Sequence, residues 1–439
     1  MQISIYSLGF FGFYLALFVA VIYYLPSRMV TVPHRGIMLG AALLTVFYIL
    51  MRGRRFYTGS ALVWLVAFWL AMLARIYFGQ LAGEMRVHPM SYYLIYSVGV
   101  CCLPMIPFLA SCDFRRMKIG FWSLVFSGVM SAVLAVVLYG FAMTGRVKGG
   151  EFVGDFVAMG PLHIAYMGSA LFCLGLYALF YSDNFKSMDL NNPVKVAILG
   201  GLFSFFIPEQ WRYLVVQYKI AILLMAAGFY LVAFGASRGP IVAIAACGIF
   251  IAFAKTKRLE HVFKLFFIML LVGVGGFGLL YLTKFTGSSL YYRVIGIADI
   301  SDVINYGGFG AERYFLWREA LSQFMTSPIF GSGLVVDGYF SYPHNAFIEA
   351  FMATGVVGGF AFCAFVFVCM KRAFELIRYA PQYGWASVLF VHYLMYLQFS
   401  SSLITNAYFW YAAAAVLGFS TSVNLPMLKR GMHMGGYHR

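Results

Sequence analysis

Two short stretches of this chain combine reactive side chains with the backbone signals that open a helix. In GASRGP, residues 235–240, Arg238 stands beside a glycine and a proline. Pro240 suits the first position of a helix and Gly239 allows a reversal, so Arg238 would project beside the positive end of a helix dipole. A guanidinium placed there can grip phosphate oxygens in a bidentate fork. The plainer reading is an arginine that snorkels to lipid head groups. In SYPHNAF, residues 341–347, Pro343 stops what precedes it, and His344 and Asn345 open the next helix. An imidazole, with its ordinary pKa of about 6.5, suits proton transfer near neutrality, and a helix N-terminus favours its neutral, proton-accepting form. A histidine that merely packs at an interface is the structural alternative.

Other residues could join such a site. Glu349 lies inside an apolar run, where a carboxylate is expensive unless it meets water or a partner. It reads either as a cavity-lining or network residue or as a shallow interfacial one. Gly355, Gly358 and Gly359 fall on or near one helix face and would let a neighbouring helix approach closely. Between 284 and 343, Arg293, Arg313 and Arg318 are interspersed with Asp299, Asp302, Glu312, Glu319 and Asp337. Any anion binding there must come from individual arginines, and for Arg313 and Arg318 a solvated helix face is the competing reading. No phosphate-binding loop, zinc-protease helix, nucleophile elbow or dinucleotide fingerprint occurs, and no paired carboxylates of the soluble glycosidase kind stand out. The seven cysteines form no metal-ligand or disulfide pattern, so we expect neither metal nor cofactor. The two histidines of the tail KRGMHMGGYHR read as solvated or, less simply, as metal ligands.

The elements that must position these residues are membrane helices. The chain has 439 residues, 62% hydrophobic and 10% charged, and runs of about 20 apolar residues recur along it. Solid apolar blocks rather than alternation exclude a β-barrel. The fold class is all-α: a polytopic membrane protein with about 12 transmembrane helices, near 4–25, 35–51, 60–79, 90–111, 119–142, 162–182, 219–236, 240–254, 262–283, 345–370, 385–402 and 406–423. The first run has no basic flank or cleavage site and reads as a span, not a signal peptide. We expect one integral membrane domain over 1–439, with the loop 284–343 inserted between spans nine and ten. Within that loop, ERYFLWREALSQF has the spacing of an amphipathic helix on the membrane surface, and SPIFGSG turns the chain back. The short apolar stretch 194–207 reads as a re-entrant or interfacial helix. The net charge of +16 collects in Arg52, Arg54, Arg55, Arg115, Arg116, Lys118, Lys255, Lys257 and Arg258, which mark the cytoplasmic side. Both termini are then cytoplasmic, the loop is periplasmic, the surrounding partners are membrane lipids, and no nucleic acid is needed to explain the charge.

The segments GASRGP, YYRVIG through AERYFLWREAL to SPIFGSG, and HNAFIEAFMATGVVGG together resemble the O-antigen ligase and polymerase superfamily of bacterial envelope glycosyltransferases. The last fits the ligase pattern: His344, Asn345, nine residues to Thr354, then Gly355 and Gly358. The resemblance implies an inner-membrane enzyme that takes a polyprenyl-pyrophosphate-linked glycan as donor and a sugar hydroxyl of lipid A core as acceptor, on the periplasmic face. Arg238 and Arg293 would hold the pyrophosphate, with Arg313 competing for the place of Arg293, and His344 would activate the acceptor. Arg313, Asn345, Arg318 and Glu349 are the candidates for substrate contact. Transfer would be metal-independent and inverting. The same donor serves a polymerase that joins lipid-linked repeat units, and a transporter or flippase of such a glycan is a further alternative, although its site would lie nearer the membrane midplane.

Overall fold

The computed structural model describes residues 55–83, 87–111, 161–180, 209–255 and 311–423, with isolated residues within 39–53, 121–137 and 278–285. Arg293, the stretch 194–207, the first span and the basic tail lie outside the described residues. Among the described residues the chain is helical, and nothing more strand-like than an isolated bridge occurs. In hydrocarbon a helix satisfies its own backbone, which is why uninterrupted apolar sequence takes this form. We label the helices α1 (Ser60–Leu81), α2 (Met90–Leu109), α3 (Pro161–Phe180), α4 (Glu209–Gly235), α5 (Arg238–Lys255), α6 (Ala311–Thr326), α7 (Ala346–Tyr379), α8 (Gly384–Phe399) and α9 (Ala407–Ser422). Of these, α1 to α5 and α7 are long and apolar enough to cross a membrane. The expected spans at 385–402 and 406–423 form α8 and α9, of 16 residues each. They are almost entirely buried and joined by a non-helical link from Ser400 to Asn406.

The expected span 345–370 is not one straight helix. Gly355 has φ 63° and ψ −162°, which breaks α7 into an arm at 346–354 and an arm at 356–379. The rings of Phe347 and Phe362 lie 5.5 Å apart, although 15 residues of straight helix would separate them by about 22 Å. Phe351 and Phe360 pair likewise at 5.9 Å. The short arm is therefore folded back beside the long one. The long arm also runs past the expected end to Tyr379, because the charged stretch after Met370 is still helical and carries an Arg372–Glu375 ion pair at 2.9 Å.

The turn after α6 fills the break. Val356 N–H donates to Pro328 O at 2.8 Å and Ser332 N–H to Met352 O at 2.9 Å, so the groups freed by the missing helical turn are satisfied. A Cβ on Gly355 would lie 2.2 Å from Ile329 O, and one on Gly331 (φ 77°) would lie 2.3 Å from Ala353 O. The expected role of the three glycines in helix approach therefore holds for one of them. Gly358 faces Ala71 of α1, Gly359 makes room for the Phe351 ring, and Gly355 is the break itself. The core is aromatic where α1, α7 and α9 meet, with Phe68, Phe362 and Trp410 in mutual ring contact and Phe365 stacked on Trp410. Helices α3 and α4 touch through Gly168 and Gly228, where either Cβ would strike the other's carbonyl oxygen.

Gly355→Ala combines a left-handed backbone with a clash against the inserted turn and should destabilise the protein by about 3 kcal/mol or more. Gly99→Ala, where a Cβ meets nothing within 4 Å, should leave the thermal unfolding midpoint in detergent nearly unchanged.

Candidate active site

Helices α4 and α5 are joined by only Ala236 and Ser237. The reversal comes from Ala236, whose φ is 42° and whose N–H donates to Val232 O at 3.0 Å. This corrects the expectation that Gly239 makes the turn and Pro240 opens the helix: Arg238 is the first residue of α5, and both lie in its first turn. Gly239 has a different necessity, since a Cβ there would lie 2.0 Å from the Tyr166 hydroxyl and 3.3 Å from Phe399 Cβ. The starts of α3 and α5 and the end of α8 thus meet around Arg238.

His344 is fixed on both sides. Trp317 of α6 donates its indole N–H to Pro343 O at 2.7 Å. On the other side Asn345 Oδ1 accepts from the N–H groups of Phe347 and Ile348, each at 3.1 Å, and so caps α7. Between these anchors His344 adopts φ 54°, a left-handed conformation that costs a non-glycine residue about 1–3 kcal/mol and persists only where its surroundings impose it. The Tyr342 ring meets the imidazole edge to face at 4.6 Å. Burial first, and then the charge of Arg313, lower the His344 pKa from 6.5 to about 4. The ring is therefore neutral at neutral pH. Among the described residues nothing hydrogen-bonds its buried Nδ1. Burial, and then the nearby Glu349 carboxylate, push the Tyr342 phenol upward, so it stays protonated.

Arg313, on the first turn of α6, lies close enough to act electrostatically on His344, on Arg238 and on Tyr166. Two guanidinium groups and a neutral imidazole share one end of the bundle, an arrangement whose mutual repulsion an anion would relieve. The Tyr166 hydroxyl faces Ser400, and its ring stacks on Tyr396 at 3.8 Å. Glu349 is buried and accepts the Leu403 N–H on both carboxylate oxygens at 3.1 Å, with Ser402 as a further partner. It ties the short arm of α7 to the link between α8 and α9, a network role. Arg318 is on the exposed side of α6, about 140° round the helix from Arg313. Asn345 spends its side-chain oxygen on the cap.

Residues 220–363, about a third of the chain, match the family model described as O-Antigen ligase. Over this segment the chain is similar to that family. No curated protein and no solved structure matches the chain. The matched segment contains Arg238, Arg313, His344, Asn345 and Glu349, together with the break at Gly355 and its closing contact at Phe362. Tyr166, Tyr396 and Ser400 approach the same site from outside it, and sequence reasoning missed them, as it missed Trp317 and Tyr342. Their one available signal is an aromatic or hydroxyl side chain near a helix end, which many residues of this chain share.

Asn345→Ala should cost about 1 kcal/mol of stability and Asn345→Ser much less, a difference readable by thermal unfolding. Glu349→Ala should destabilise more than Glu349→Gln, because only the latter keeps an acceptor for the buried Leu403 N–H.

Proposed function

We propose that the protein transfers a glycan from a polyprenyl-pyrophosphate carrier to a sugar hydroxyl of lipid A core at the periplasmic face of the inner membrane. The observation that carries this reading is the meeting of Arg238 and Arg313 with a neutral, strained His344 at one end of the bundle. Pyrophosphate is already a good leaving group, so the reaction asks for cations where its charge develops and one base for the incoming hydroxyl. Arg238, at a helix start, and Arg313 take the pyrophosphate oxygens. His344 accepts the acceptor's proton as the hydroxyl oxygen bonds to the anomeric carbon, while the bond from that carbon to the phosphate oxygen breaks. Attack opposite the leaving group inverts the anomeric centre. For the second arginine we favour Arg313 over Arg293, because Arg313 lies close enough to act electrostatically on both Arg238 and His344. Asn345 and Glu349 hold the arm that carries the base, and Arg318 is left for the lipid surface.

Reconstitution with lipid-linked glycan, with and without lipid A core, tests the reading: product should require the core. Chain lengthening without it would make the protein a polymerase. His344→Ala should leave a folded protein and lower the transfer rate by about 10²–10⁴-fold. Retention of near-normal transfer would remove His344 from the base role.

The pH dependence has a definite sign. A base must be neutral, and an ordinary histidine would lose activity below about pH 6.5. With the His344 pKa lowered to about 4, the acid limb of kcat/KM should lie well below pH 6. The limb of kcat should lie higher, because a bound anionic donor offsets the charge of Arg313.

A further inference from the structure

We propose that Tyr166 is a further substrate-contacting residue, whose phenolic hydroxyl donates to a phosphate oxygen of the diphosphate bound at the start of α5, and that Gly239 is the notch that admits it. The proposal rests on the transfer reading above, which puts a diphosphate beside Arg238, and adds to it a group from outside the matched segment.

Packing accounts for the Tyr166 ring but not for its hydroxyl. The residue is 1% exposed. Its ring stacks on Tyr396 at 3.8 Å and meets His392 edge to face at 6.0 Å. One turn along α3, Ser169 Oγ donates to the Tyr166 carbonyl at 2.9 Å and lies 2.6 Å from His392 Nε2, which steadies the backbone that carries the ring. A phenylalanine would keep every one of these contacts. The Tyr166 hydroxyl, by contrast, is buried without a hydrogen-bond partner among the described residues; Ser400 is near enough to act on it yet does not satisfy it. A buried donor left unmatched is costly where phenylalanine would cost nothing. The hydroxyl therefore points to an acceptor that these residues do not supply.

Its surroundings say what kind of acceptor. A Cβ on Gly239 would lie 2.0 Å from the Tyr166 oxygen, so that oxygen stands over the first turn of α5, where backbone N–H groups have no carbonyl one turn back to receive them. Arg238 Nε and His344 Nδ1 are likewise buried without a hydrogen-bond partner among the described residues. Arg313 is close enough to act on all three side chains. A phenol, two guanidinium groups and a helix start are satisfied together by an anion that offers several oxygens around one centre, as a phosphate does. Any side chain at position 239 would push the phenol away from that centre.

The test uses the full-length protein in detergent with inorganic pyrophosphate as the probe, its affinity read by calorimetry beside the thermal unfolding midpoint. Tyr166→Phe should weaken pyrophosphate binding about tenfold or more, while the midpoint without pyrophosphate holds or rises, because an unmatched buried donor has gone. Gly239→Ala should weaken binding in the parent protein but add little to Tyr166→Phe, since the hydroxyl it displaces is already absent. Equal affinity of Tyr166→Phe and the parent would overturn the proposal and leave the roles of Arg238 and Arg313 standing. A parent protein that binds no pyrophosphate would overturn both. Phosphatidic acid added to the detergent separates the other source of phosphate: competition with pyrophosphate at matched ionic strength would give the site to lipid head groups and overturn its assignment to the donor.

Discussion

The arrangement described above hangs on one backbone conformation, the left-handed Gly355 that breaks α7. A straight helix would carry His344 about 18 Å beyond the level at which the long arm begins. The break instead folds the first arm back onto the second, closed by the Phe347–Phe362 and Phe351–Phe360 contacts. Breaking a helix in an apolar setting strands backbone donors and acceptors, each a loss comparable to a hydrogen bond. The turn at 327–333 supplies the missing partners, and in doing so it fixes α6, and with α6 both Arg313 and Trp317. A single residue without a side chain thus sets how His344 and Arg313 sit relative to one another.

A second constraint is conformational strain, concentrated among the described residues at three non-glycine positions with positive φ: Ala236, Phe340 and His344. Two of these carry the site. Ala236 makes the two-residue reversal that leaves Arg238 at a helix start, and His344 sits between the Trp317 hydrogen bond and the Asn345 cap. The surrounding hydrogen bonds over-determine each conformation, which is how such strain persists. The electrostatic result is a His344 imidazole that is neutral at neutral pH, because burial and Arg313 oppose its protonation.

Much of this was legible in the sequence, and the reasons for the rest are physical. Hydropathy reports helices because an apolar run has one way to satisfy its backbone in lipid, and α1 to α5 fall where such runs predict. Hydropathy is blind to a glycine that leaves the helical region, so α7 read as one span. Arg238, His344 and Asn345 were visible because proline, glycine and a capping residue mark helix starts. Arg313 could not be chosen over Arg293 on that basis, since its closeness to His344 depends on the turn plugging the break. Tyr166 and Ser400 come together with Arg238 only through the packing of α3 and α8, which no local pattern encodes.

The domain match ends at residue 363, just after Phe362 closes the fold-back. The segment therefore carries His344, Arg238, Arg313 and the hinge at Gly355, yet it does not carry the side chains packed around them. Tyr166, whose hydroxyl lies beside Gly239, and its partners Tyr396 and Ser400 belong to flanking elements. In modular terms the polar groups are portable and their surroundings are not. A chimera that kept residues 220–363 and took its flanks from another protein would inherit Arg238, Arg313 and His344 but reshape the space beside them.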